Sequence, residues 1–192
     1  MTEEERAKAS VLLATLLQQA GRVSEAIEVL EQAAKEHPAV AEVGHRLAVL
    51  YARAGKFREA AQECERLVGL DSRDIVALDL LAALYARLGE REKLWPVVRQ
   101  LLRMCPEEPR YRLLKAMLLQ QAGDVGGAMD QYLTVLDQDA EESSTEAAEE
   151  AVYLLDVMQI QRLLAVAQSD PSLRARMRRD LPGVLKEWRV RL

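Results

Sequence analysis

The chain has 192 residues, 49% hydrophobic and 30% charged, with a formal net charge of −5, a composition that excludes a wholly disordered chain and suits one folded domain. Aromatics make up only 4%, with one Phe and two Trp, so a core must come mostly from Leu, Ala and Val, as in packed helices, and an all-β fold is disfavoured. Cys64 and Cys105 form no CxxC pattern and His37 and His45 are near neither, which excludes a cysteine-based zinc site.

From the N-terminus, MTEEER is acidic where a secretion signal would be basic, and the apolar run from Val11 to Leu17 is too short to span a bilayer. A reduced, cytoplasmic protein is expected. Gly21, Gly55, Gly89 and Gly123 then recur every thirty-four residues, which signals an internal repeat. Seven residues before each Gly stands Ala14, Ala48, Ala82 or Ala116, and four before stands Leu17, Tyr51, Tyr85 or Leu119. Five after come Ala26, Ala60, Leu94 and Ala128, and seventeen after come Pro38, Ser72, Pro106 and Ala140. Apolar spacings of three, four and seven make a helical stripe on each side of the Gly, and Gly ends a helix in the left-handed conformation without steric cost. Each unit therefore reads as helix, tight turn, helix. A unit of this size cannot bury both helices alone, so the units must stack.

This pattern resembles the tetratricopeptide repeat family over about residues 7–142, in repeats 7–40, 41–74, 75–108 and 109–142. The second is nearest to the family pattern, with Leu47, Ala48, Tyr51, Gly55, Phe57, Ala60 and Leu67 in place. The resemblance implies an all-α fold, a right-handed superhelical solenoid of antiparallel helix pairs, with the first helices lining a concave groove. The third repeat departs most. Pro96 falls inside its second helix and should kink or shorten it. Its neighbour Trp95 is either a local repacking or a contact site. In the fourth, Gly126 and Gly127 weaken the start of the second helix. His37 reads as a helix C-terminal residue and His45 as a first-helix surface residue.

Residues 143–192 do not continue the period, since Val157 stands where the next Gly would be. Ser143 and Glu146 have capping-box spacing before an uninterrupted helical stretch from Thr145 to about Gln168. Asp170 and Pro171 open a short helix to about Arg179, Pro182 and Gly183 break it, and a final short helix carries Leu185, Trp188 and Leu192. The extension 143–192 is expected to cap the apolar end of the repeats over 1–142, covering Leu133 and Leu136. Its charge is distinctive. From Ala116 to Gln161 there are ten acids and no Lys or Arg, whereas from Arg162 to Leu192 eight bases face three acids. The two segments either neutralise each other, stay solvated, or serve a partner, and the basic one could meet an acidic protein, an anionic membrane surface or a second copy. With one aromatic, Trp188, and no phosphate-binding loop, it argues against nucleic acid.

No GxSxG, HExxH, P-loop or GxGxxG pattern occurs, so catalytic residues, cofactor and metal are expected to be absent. The resemblance instead implies a protein or peptide partner of unspecified identity. Carried over position by position, the groove comprises Lys8, Val11, Thr15, Gln18 and Gln19 in the first repeat, and Glu42, His45, Val49 and Arg53 in the second. The third supplies Val76, Asp79, Ala83 and Arg87, and the fourth Arg110, Leu113, Met117, Gln120 and Gln121. A second contact could involve Trp95, Arg174, Arg178 or Trp188. One subfamily grips the C-terminal carboxylate of chaperones with paired Lys, Arg and Asn. This chain has no Asn, and Val11, Thr15, Arg46, Val76 and Leu80 hold those places, so the remaining apolar positions suit an amphipathic helix or apolar segment. The expected role is an interaction scaffold; the alternatives are a homo-oligomeric assembly subunit and a small secretion or assembly chaperone.

Overall fold

A computed structural model describes residues 2–138, 140–188 and 190. Leu192, together with the charges at Asp139, Arg189 and Arg191, lies outside the described residues. Among the described residues all regular structure is helical. Eight helices form four pairs: α1 (Glu3–Gln19) and α2 (Val23–Glu36), α3 (Ala41–Arg53) and α4 (Phe57–Leu70), α5 (Ile75–Leu88) and α6 (Arg91–Met104), α7 (Pro109–Gln121) and α8 (Val125–Leu136). Three more follow: α9 (Glu142–Ser169), α10 (Pro171–Arg179) and α11 (Leu181–Glu187).

The turn inside each pair is the same because the same residue makes it. Gly21, Gly55, Gly89 and Gly123 have φ of 76, 78, 72 and 83°, a region that L side chains enter only with strain. The next residue's N–H then reaches back to the first helix: Arg22 to the Leu17 carbonyl at 2.8 Å, Lys56 to Tyr51 at 2.9 Å, Glu90 to Tyr85 at 3.0 Å and Asp124 to Leu119 at 2.9 Å. This is a Schellman closure, which satisfies carbonyls that a helix end otherwise leaves unpaired.

The chain divides into two compact units, one through Pro106 and one from Glu107. In the first, the backbones of α1, α3 and α5 are neighbours while those of α2, α4 and α6 are not. Adjacency on one side and separation on the other places the first helices on the inside of this unit's curve. Its core is made of the stripe residues, with Ala26, Val43, Ala48, Ala60, Leu78 and Val98 fully buried.

Two links, each made twice, tie its repeats together. The Tyr51 hydroxyl donates to Glu31 Oε1 at 2.7 Å, and Tyr85 donates to Glu65 Oε1 at 2.5 Å. Arg66 Nη1 donates to the Pro38 carbonyl at 2.6 Å, and one repeat later the Gln100 side-chain amide donates to the Ser72 carbonyl. Each link joins a side chain to the preceding repeat at the same offset, which is what an array of equivalent units requires.

Pro96 does not shorten its helix. At 14 residues α6 matches α2 and α4, because Pro96 and Glu92, whose carbonyl loses its donor, both stand exposed. Trp95 is half-buried beside it.

In the second unit, α9 packs along α8 and touches α7, just as α3 packs on α2 and α1. Its first half thus takes the place of a further first helix, although the period appeared to end. With Val157 instead of Gly there is no turn, so the helix runs on for 28 residues, about 42 Å at 1.5 Å per residue. Ala148, Val152 and Leu155 bury themselves with Met129, Tyr132 and Val135, and Leu133 and Leu136 pack at the edge of that cluster. Core sharing of this kind keeps α9 in one compact unit with α7 and α8.

The start of α9 also differs from expectation. The helix begins at Glu142 behind Glu141, without a side-chain cap, and Ser143 lies inside it. The second half carries a separate cluster of Leu163, Ala167, Leu173, Val184, Leu185 and Val190, with Met177 and Trp188 at its edge. Asp170 caps α10, accepting the N–H groups of Ser172 at 2.8 Å and Leu173 at 3.1 Å. Pro182 and Gly183 do not break the chain. They form the first turn of α11, where Asp180 Oδ1 accepts the Gly183 N–H at 2.9 Å and Pro costs no hydrogen bond.

Candidate binding face

The first-helix face of the N-terminal unit is more structural than the sequence suggested. Val11 is buried at 7% exposure, and the Thr15 hydroxyl is turned back onto the Val11 carbonyl at 2.8 Å. His45 is half-buried, its Nε2 at 2.6 Å from Asp74 Oδ2, while Asp74 Oδ1 accepts the Ala77 N–H at 3.0 Å and caps α5. His45 therefore ties α3 to the start of α5. Lys8 is exposed and paired with Glu4 at 2.7 Å, and Arg87 lies over the Phe57 ring at 4.4 Å.

What stays open on this face is mixed, apolar side chains standing among charged ones. Val49 and Val76 are 42% and 60% exposed, with Ala83 exposed beside them. Glu42, Arg53 and Gln19 are exposed too, and Gln18 and Asp79 are half-buried.

The second unit builds a deeper feature. A cleft of about 590 Å³ lies between α7 and α9. Met117, Gln120 and Gln121 form its α7 wall, Tyr132 of α8 lies at its base, and α9 contributes Ala147, Glu150, Ala151, Leu154 and Met158. The Tyr132 hydroxyl donates to Gln120 Oε1 at 2.9 Å, so the cleft's buried phenol is already satisfied. Met117, Leu154 and Met158 are 48%, 49% and 58% exposed. Leu113 is half-buried and packs against the core beneath, and Arg110 pairs with Glu108 at 3.0 Å.

Met117, Gln120 and Gln121, expected from the sequence on a partner groove, line one wall of this cleft, and the α9 wall was not among the expected residues. A signal was present, because a thirty-four-residue step from Leu113, Met117 and Gln120 lands on Ala147, Ala151 and Leu154.

The basic C-terminal residues are partly spoken for. Arg174 Nη1 donates to the carbonyls of Ala167 at 2.7 Å and Gln168 at 2.8 Å, a cation at the negative end of α9. Arg176 pairs with Glu187. Arg178 is exposed and lines a shallow hollow with Leu164 and Met177. Trp188 packs at the edge of the C-terminal cluster.

Burial pushes the Tyr51 and Tyr85 hydroxyls well above the ordinary tyrosine value, and their carboxylate acceptors push the same way. Burial also raises the Cys64 thiol to about 12, leaving it unreactive at neutral pH. Among the described residues, no group of three His, Cys, Asp or Glu is placed to hold a metal ion, and no helix is long and apolar enough to cross a membrane.

These features define a helical-repeat protein with a tetratricopeptide-type fold. Residues 17–88 match the tetratricopeptide repeat family. The chain is 28% identical over 133 residues to the Vi polysaccharide export protein VexE of Salmonella typhi, a match covering 67% of this chain. It spans only about a fifth of that relative's length, 20%. Among solved structures it resembles a tetratricopeptide repeat protein from Parabacteroides merdae, with 20% identity, a TM-score of 0.71, and 96% of this chain and 71% of that one covered. It also resembles YrrB, described as a tetratricopeptide repeat protein with an unusual peptide-binding site, with 17% identity, a TM-score of 0.62, and 86% and 93% covered.

Proposed function

We propose that the protein is a non-enzymatic interaction scaffold that receives a peptide or helix of a partner protein on the faces formed by its first helices. One observation carries this reading: apolar side chains stand exposed where internal packing has no use for them. Val49, Val76 and Met117 are 42%, 60% and 48% exposed, while Leu47, Leu78 and Ala116, on the same helices, are buried. Isolated exposed apolar residues are ordinary, but a set recurring on equivalent helices is the mark of an interaction surface. The peptide-binding site ascribed to YrrB, on a similar fold, supports the same direction. The proposed division of labour gives residues 7–142 to the repeats and the helices beyond to the closing of their apolar end.

The similarity to a polysaccharide export protein favours a second reading, service within an export or assembly apparatus with the same faces holding an apolar client. Photo-cross-linking tests the proposal. A benzophenone amino acid at Val49, Val76 or Met117 should give a discrete adduct with one partner, while the same probe at Glu28 or Arg99, on second helices, should not. Adducts only at the second-helix positions would contradict the proposal. The identity of the captured protein separates the two readings.

A further inference from the structure

We infer that the cleft between α7 and α9 selects a cationic amphipathic segment, one that carries Lys or Arg beside its apolar residues. This rests on the scaffold reading and goes beyond it by naming the partner's chemistry. The walls offer Met117, Leu154 and Met158, all substantially exposed. Methionine's flexible thioether adapts to varied apolar shapes, and the cleft's size is that of sites that enclose small ligands or side-chain clusters, roughly 300–1,000 Å³.

The charge among the residues lining those walls is acidic. Glu150 lines the cleft, Glu146 stands exposed one turn earlier on α9, and Glu149 is exposed next to Glu150. From Ala116 to Gln161 there are ten acids and no Lys or Arg, so none of the three helices bordering the cleft supplies a base within that stretch. On α7, Arg110 pairs with Glu108 at 3.0 Å and Arg112 with Glu107 at 3.8 Å, while half-buried Lys115 precedes Met117 by two residues and exposed Arg162 follows Met158 by one turn of α9, neither of them among the residues that line the cleft. Farther along, Arg174 is bonded to backbone carbonyls and Arg176 to Glu187. An anionic segment entering this cleft meets repulsion from Glu150 and its neighbours Glu146 and Glu149. A segment with Lys or Arg lays its aliphatic stems along the methionines and its charged ends on the glutamates.

The test uses the full chain and two synthetic amphipathic helices of equal length with identical leucine faces, one with lysines and one with glutamates on the polar face. Anisotropy titrations should show the lysine helix binding at least about tenfold more tightly, the preference shrinking as salt screens the rim. Glu146→Lys with Glu150→Lys should erase or reverse the preference. Met117→Ser with Leu154→Ser should remove binding of both helices. All four sites are solvent-exposed, and circular dichroism confirms that each variant stays helical.

As a control, Glu28→Lys with Glu59→Lys, exposed in the other unit, should change nothing. An equal loss in this control would overturn the inference, since attraction to the whole chain would then explain binding. Equal affinity for the two helices, abolished by the Met117 and Leu154 changes, would overturn the charge selection while leaving the scaffold reading intact. Binding of neither helix would overturn both for this cleft. Self-association lost on reversing Glu146 and Glu150 would also overturn the inference, with a second copy as the cleft's occupant.

Discussion

At the residue scale, the four turn glycines dictate the register, and Gly55 shows why. An added Cβ there meets no atom within 4 Å, yet φ is +78°, so a substitution costs backbone strain alone. Gly55→Ala should destabilise by about 1–2 kcal/mol and Gly55→Val by more, read from the urea midpoint; a neutral result would contradict the left-handed turn. Tyr51 and Tyr85 set a pH dependence of known sign. Their folded-state values lie above the unfolded tyrosine value of about 10. Their contribution is therefore fully present below that pH and is lost as pH rises above it, because the unfolded chain gives up protons first. The alkaline fall in stability should be shallower in the Tyr51→Phe, Tyr85→Phe double variant, and an unchanged slope would contradict the burial of these hydroxyls. The glycines were legible in the sequence because positive φ leaves a one-residue signature. The Tyr51–Glu31 and Tyr85–Glu65 links were not, since a first-helix aromatic carries no mark of its acceptor and the glutamate partners stand twenty residues earlier, in another repeat.

At the element scale, α6 and α9 test how local sequence is overridden. Pro96 is tolerated because its defect faces solvent, so Pro96→Ala should raise stability, by up to about 3 kcal/mol, measured as a higher midpoint; a loss would show that the ring makes a needed contact. For α9, Val157 in place of a glycine removes the turn, while the packing of a first helix on α8 and α7 is kept. A first helix needs the apolar positions Ala148, Val152 and Leu155 more than it needs the turn that follows. Leu155→Ala, at a site with no exposed surface, should therefore cost about 2–5 kcal/mol, and a smaller loss than Leu154→Ala would contradict the placement of α9. Likewise Ser143 has capping-box spacing, but the helix starts at Glu142 behind Glu141, so Ser143 lies within its first turn.

At the scale of the whole molecule, the helix pairs were legible in the sequence through the glycine period, and the first helices could be named. The sequence did not disclose how much of the first-helix surface is committed internally. Val11, Thr15, His45 and Arg174 each have a structural partner that no pattern of spacing records. The α9 wall of the cleft is marked in the sequence only by the thirty-four-residue step to Ala147, Ala151 and Leu154, and it takes on meaning once α9 lies beside α7. Charge asymmetry along the chain was plain from the start, and its meaning depended on finding Glu146 and Glu150 at an apolar cleft while Arg174 and Arg176 serve the C-terminal cluster. The most direct measurement is hydrogen–deuterium exchange of the full chain, alone and with the partner recovered by cross-linking. Protection should concentrate in α3, α5, α7 and the first half of α9. Protection confined to α10 and α11, or to the second helices α2, α4 and α6, would contradict a binding role for the first-helix faces.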